Sequence, residues 1–157
     1  MLSFLRERID PLCRFAMLFE RYQDAVRAGK SHLAHYYWRQ IFYKYNCQIS
    51  PTAKIGHNVR FPHPIGIVVG DGAIIGDDCV IYQSVTLGKK NGKYPTLQNR
   101  CVLYPNAIVI GGVYLHEDTI VGAGAVVTKS TEASHVVLVG VPAKQITRKQ
   151  KIIMEEV

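Results

Sequence analysis

A chain of 157 residues has room for one domain of ordinary size. Apolar residues make up 48% and charged residues 20%, which excludes a disordered or low-complexity chain. The formal net charge of +7 suits a nucleic acid, a membrane surface or a polyanionic small ligand such as a phosphorylated cofactor.

The opening residues Met1 to Leu5 are apolar, but Arg6, Glu7, Arg8 and Asp10 interrupt them before a signal-peptide core can form. No apolar run approaches the length of a transmembrane helix, so the expectation is a cytoplasmic protein with no transmembrane segment. Asp10 followed by Pro11 reads as an N-cap and first helical position. Leu12, Phe15, Ala16 and Phe19 then recur at helical spacing, and Gly29 supplies the stop. Ser31 is a second N-cap candidate, ahead of a helix carrying Leu33, Tyr36, Tyr37, Ile41 and Phe42. Residues 1–46 are thus expected to form a helical hairpin.

From Ile49 onward the period changes to six. Ile49, Ile55 and Phe61 are apolar; after a two-residue slip come Val69, Ile75, Ile81 and Leu87; after a four-residue slip come Leu97, Leu103, Val109, Leu115, Val121 and Val127. Four positions further on, the residue is mostly small or β-branched, as at Ala53, Ala73, Cys79, Cys101, Ala107 and Ala125. This is the pattern of a hexapeptide β-solenoid: each unit makes a short strand and a tight corner, and its apolar residue points inward. Three units close one triangular coil, so these residues predict about four coils over 47–144, each stabilised by its neighbours. Residues 145–157 are expected to form a short C-terminal helix or tail.

These segments carry a resemblance. "ISPTAKIG" (49–56), "HPIGIVVGDGAIIGDD" (63–78), "IYQSVTLG" (81–88), "VGAGAVVTK" (121–129) and "GVPAKQI" (140–146) resemble the left-handed parallel β-helix acyltransferases, the hexapeptide transferases. Within them the chain is most similar to the serine acetyltransferase branch, and "SHLAHYYWRQ" (31–40) is similar to the last helix before the solenoid there. The resemblance implies a mainly β, left-handed β-helix fold, acetyl-CoA as acyl donor, and a homotrimer with sites between subunits.

Solenoids accept insertions only at corners, where they project as loops, so the two slips are the places to look for a site. The first holds Phe61-Pro62-His63-Pro64-Ile65-Gly66 and the second runs from Lys89 to Thr96. Prolines on both sides restrain His63. A hydroxyl attacking a thioester needs its proton removed near neutral pH, which suits an imidazole. The resemblance gives His63 that general-base role. His57, His116, His32, His35 and His135 read as corner, surface or helix-packing residues. None has metal-ligand spacing with a cysteine or carboxylate, so no metal is expected.

Coenzyme A carries several negative charges, making Lys89, Lys90, Lys129 and Lys144 candidate phosphate partners. The resemblance adds Gly88, Ala107, Gly124 and Ala125 as positions where the pantetheine arm would pass. Gln48, Lys93 and Tyr94 are the acceptor-binding candidates, and Tyr94 could bond an acceptor or stack on a sugar ring. The chain also departs from its relatives. Serine acetyltransferases typically have Asp where Gln48 and Pro62 stand, and a second histidine where Tyr94 stands. Loss of both carboxylates predicts a sugar hydroxyl or surface-polysaccharide precursor as acceptor, with L-serine as the alternative. A non-catalytic solenoid is the rival from another class, favoured by the missing second histidine. A nucleic-acid binder finds no supporting motif. The four cysteines, Cys13, Cys47, Cys79 and Cys101, form no CxxC pair, which speaks against a disulfide scaffold or zinc ribbon and for a reducing compartment. Cys79 and Cys101 take the small inward position and read as core.

Overall fold

The computed structural model describes residues 11–146. Two helices open it, α1 (Pro11–Arg27) and α2 (Ser31–Tyr45). Pro11 starts α1, as its fixed φ and missing N–H predict. Ser31 is not the N-cap of α2; Lys30 holds that position, with no side-chain cap bond. The turn leaves no residue to spare for a serine cap. Gly29 sits at φ +65°, Lys30 N donates back to Ala25 O at 2.9 Å, and Ser31 N donates to Gly29 O at 3.0 Å.

The hairpin closes one end of the solenoid rather than standing apart from it. Phe15 and Phe19 meet the Phe61 ring edge-on at 5.6 and 4.9 Å between centroids. The buried Tyr22 hydroxyl donates to Ile49 O at 3.0 Å, and burial pushes its pKa up. These residues and the solenoid interior form a single apolar cluster.

The solenoid is built from fourteen short strands: β1 (Gln48–Ile49), β2 (Lys54–Ile55), β3 (Val68–Val69), β4 (Ile74–Ile75), β5 (Val80–Ile81), β6 (Thr86–Gly88), β7 (Thr96–Leu97), β8 (Val102–Leu103), β9 (Ile108–Ile110), β10 (Tyr114–Leu115), β11 (Ile120–Val121), β12 (Val126–Val127), β13 (Val137–Val139) and β14 (Lys144–Gln145). They form three walls. Sheet 1 stacks β1-β3-β6-β9-β12, sheet 2 stacks β2-β4-β7-β10, and sheet 3 stacks β5-β8-β11-β13-β14. All pairings are parallel except β13 with β14. Each hexad apolar residue is the second of its strand, except Phe61, which follows the bridged Arg60, and all but the half-buried Ile55 are buried.

The register shows where chain was inserted. Lys54 pairs with Ile74, twenty residues on; Ile74 with Thr96, twenty-two on; Thr96 with Tyr114, eighteen on. Eighteen is three undisturbed hexads, so the surpluses of two and four are the two slips.

The solenoid has a fifth layer beyond the expected four coils. Thr131 continues the second wall, its N–H donating to Tyr114 O at 3.0 Å, and the buried Leu138 continues the third. The six-residue step breaks there, because Ile120 pairs with Val137, seventeen residues on. The 144/145 boundary falls inside β14, an antiparallel strand that turns the chain back on the last layer. The expected C-terminal helix lies outside the described residues.

Candidate active site

His63 stands on the corner where sheet 3 passes into sheet 1. Arg60 is bridged to Val80, Phe61 turns inward, and the two surplus residues bulge outward as Pro62 to Gly66. The bulge is pinned by its own backbone. Ile65 N donates to His63 O at 2.9 Å, Ser84 N donates to Ile65 O at 2.9 Å, and Pro64 is buried. Gly66 takes φ +67°, the left-handed conformation that Ser84, Asn106 and Gly124 repeat in the layers above it. The His63 side chain is exposed, and its ring centroid lies 6.2 Å from that of Tyr82, which stacks in turn on Tyr104 at 5.2 Å. An exposed imidazole on a rigid, proline-bounded bulge is what a proton acceptor for an incoming hydroxyl requires.

Four of the other histidines have structural places. His57 lies on a different corner, its N–H bonded to Asp77 Oδ1 at 2.7 Å. His116 Nδ1 is 3.0 Å from Thr131 Oγ1, His135 Nδ1 is 3.6 Å from Asp118, and His35 stacks on Trp38. Among the described residues, no cluster of histidines, cysteines and acids is placed to hold a metal ion.

The second insertion lies on the opposite edge of sheet 1, where it passes into sheet 2. Lys90 and Lys93 exchange backbone hydrogen bonds at 3.0 and 3.1 Å around Asn91 and Gly92. The folded loop spreads over neighbouring layers that glycine keeps bare. The Lys93 stem covers Gly112, where an added Cβ would stand 3.0 Å from Cδ, and Lys90 covers Gly111. Tyr94 lies across Gly70 and Gly72; a Cβ on Gly72 would meet its Cδ2 at 2.7 Å. The Lys89 ammonium sits 5.7 Å from the Tyr94 ring centroid. The half-buried ring thus has the two glycines against it and the Lys89 ammonium beside it.

Between the two glycines stands Asp71. Its carboxylate accepts from the buried Ser50 hydroxyl at 2.8 Å, and its carbonyl accepts from Thr52 Oγ1 at 2.7 Å. Comparing Gln48 and Pro62 with the family's acidic positions overlooks this residue. The signal was its place between two glycines one register step below Tyr94.

The expected coenzyme positions divide. Ala107 and Ala125 cannot line a groove: both are fully buried, their N–H groups bond Tyr104 O and Gly122 O, and their carbonyls accept from Thr86 N and Ile108 N. The small residue at that phase of the hexad fills the interior. Gly124 is exposed, with nothing within 4 Å of where a Cβ would stand, so the corner leaves an open track there. Gly88 ends β6 at the entry to the loop, half-buried against Ile110. Lys129 and Lys144 are exposed, Lys129 on the loop edge of sheet 1 and Lys144 on β14 in sheet 3. Gln48 is exposed on the first strand of sheet 1, paired with Val68.

One chain therefore does not bring His63 together with Lys93 and Tyr94; sheet 1 separates them. Among the described residues, cavities of about 670, 640 and 410 Å³ lie along the helical hairpin, and none of these is lined by His63.

Comparison with known proteins fits this geometry. The model of the bacterial transferase hexapeptide (six repeats) matches residues 94–129. A serine acetyltransferase of Synechococcus elongatus is 41% identical over 105 residues, covering 64% of this chain and 43% of the relative. The crystal structure of a serine acetyltransferase from Vibrio cholerae superposes with a TM-score of 0.73 at 30% identity, over 82% of this chain and 52% of that one. A serine acetyltransferase in complex with CoA gives the same TM-score and identity, over 82% of this chain and 55% of that one. The chain thus spans about half the length of the relatives it matches. The six-residue repeat, the parallel β-helix and these likenesses make the chain similar to the hexapeptide-repeat acyltransferases, and among them to serine acetyltransferases.

Proposed function

We propose that the chain is an acetyl-CoA-dependent O-acetyltransferase with His63 as general base. The observation that carries this is the exposed imidazole, held on a bulge between two prolines in a family of acyl transferases. Acetyl-CoA supplies the acetyl group as a thioester. His63 takes the proton from the acceptor hydroxyl as that oxygen attacks the acyl carbon, and returns it to the departing sulfur, so no proton is gained or lost overall. The open corner at Gly124 suits a coenzyme arm, and Lys129 and Lys144 suit its phosphates. Such a donor places the reaction in the cytoplasm.

The active assembly is a homotrimer. His63 and the Lys93–Tyr94 loop stand on opposite edges of one sheet, so a second copy must bring its loop to the first copy's histidine. Light scattering that finds an active monomer would refute this.

L-serine is the acceptor that the comparisons back, in place of the sugar expected from the sequence. Asp71 answers the objection raised by Gln48 and Pro62, since it supplies an anionic partner for the acceptor ammonium on the loop edge. A sugar hydroxyl remains as a second reading because no histidine stands at Tyr94. The test is steady-state CoA release with serine and with a broad sugar panel. His63→Ala should lower kcat at least ~10²-fold, the low end for general-base removal, while acetyl-CoA binding persists. A kcat within a few-fold of wild type would make His63 structural.

A further inference from the structure

The positive charge of this chain is concentrated at one end. Between Asp24 and Asp71 the sequence contains no acidic residue, and Arg27, Lys30, Arg39, Lys44, Lys54 and Arg60 supply six of the seven net positive charges. The remaining residues nearly balance. That stretch comprises the end of α1, all of α2 and the first coil, the end of the solenoid opposite the β14 cap.

The outward face of α2 combines this charge with exposed aromatic side chains. His32, Tyr36, Arg39 and Tyr43 succeed one another at three- and four-residue steps, so they form one stripe along the helix. Tyr36 is 55% exposed and Tyr43 73%. The Arg39 guanidinium lies 5.8 Å from the Tyr43 ring centroid, a neutral partner, and none of the described ion pairs engages it. The opposite face of α2 holds Ala34 and Ile41 in the core, so the exposed stripe points away from it. Leu33 and Met17 are also exposed on the hairpin.

We propose that this face of α2 docks on the surface of an anionic lipid bilayer. A surface that is only basic would suit any polyanion. Tyrosines with exposed rings and polar tips, flanking an arginine and joined by exposed Leu33, match the layered chemistry of the membrane interface, where amphipathic rings sit at headgroup depth and cations meet lipid phosphates. The absence of any acidic side chain on α2 removes the repulsion that an anionic surface would otherwise meet. Among the described residues no helix is long and apolar enough to cross a membrane, so attachment would be peripheral and reversible.

The test uses the full chain and vesicles of equal parts phosphatidylglycerol and phosphatidylcholine, with pure phosphatidylcholine as control, read by co-sedimentation. The expected result is partition to the anionic vesicles alone, weakened by salt. Arg39→Glu should weaken it by about tenfold or more, and Tyr36→Ser with Tyr43→Ser by a similar factor. None of the three residues has a part in the proposed reaction, so CoA release in solution should be unchanged, which separates this test from that of the proposed reaction. Failure of wild type to bind the anionic vesicles, or equal binding by both variants, would overturn the proposal. So would a change in oligomeric mass on these substitutions, which would show the stripe to be covered by another copy.

Discussion

Replacing Asp71 by asparagine removes one negative charge and little else. The Ser50 hydroxyl now donates to Asp71 Oδ1 at 2.8 Å, and an asparagine Oδ1 can accept the same bond. Thr52 bonds the backbone carbonyl of residue 71, which the substitution leaves in place. The corner and the Tyr94 ring resting on its glycines should therefore survive, and thermal stability should change little. Substrate recognition should not survive equally. If Asp71 holds the ammonium of serine, the lost charge-assisted bond is worth about 1.5–3 kcal/mol, or roughly 10–150-fold in kcat/KM. A sugar has no ammonium and should lose almost nothing. The assay is CoA release against serine and against the best sugar, for wild type and Asp71→Asn. An unchanged kcat/KM for serine, in a variant that melts normally, would refute the assignment of Asp71.

Further expectations concern the frame that holds the site. Leu103 lies fully buried between Ile81 and Val121 in adjacent layers, so Leu103→Ala should cost about 2–5 kcal/mol; calorimetry should show a fall of about 4–20 °C for a chain of this size. Gly72→Ala sets a Cβ against Tyr94 and should destabilise alone, yet cost less in a Tyr94→Ala background, a coupling readable by a double-mutant cycle. The hydrogen bond from Arg100 holds the Asp118 carboxyl below its usual range. Its stabilisation is present above the unfolded carboxylate value and lost as pH falls through the depressed folded value. Arg100→Met should therefore move acid unfolding to higher pH, with NMR titration showing the Asp118 pKa rising; an unmoved Asp118 would refute the pairing.

Much of this frame is legible because a solenoid repeats one physical requirement. An inward position must be apolar every sixth residue, so Ile49 through Val127 announce themselves, and a break in phase of two or four marks a corner insertion. Phase alone also shows that Ala107 and Ala125 point inward; assigning them to the coenzyme let a likeness override the periodicity. The fifth layer was hidden because its own spacing is irregular, with Leu138 seventeen residues beyond Val121 instead of eighteen. Asp71 was hidden for another reason. It is twenty-three residues from Tyr94 in sequence, and only the four-residue insertion folded back over the preceding layer places the ring on Gly70 and Gly72. A comparison made position by position asks whether a carboxylate stands where a relative has one. The stacked corners allow a carboxylate to be supplied from another layer.

The two acceptor readings make opposite demands on charge at Asp71 and on the helical hairpin. A serine enzyme needs the Asp71 carboxylate beside the loop and gains nothing from a basic, tyrosine-bearing hairpin, since free serine is not concentrated at a bilayer. An enzyme for a membrane-attached glycan has no use for an ammonium partner and gains from docking, which confines it to the surface where its acceptor lies. The Asp71 substitution and the vesicle experiment probe separate residues, so neither result constrains the other. Sensitivity to Asp71→Asn without vesicle binding would fit the serine reading alone. Indifference to Asp71→Asn with vesicle binding would fit the glycan reading alone, and would make Tyr94, on the loop edge of sheet 1, the residue to which an acceptor sugar must hydrogen-bond.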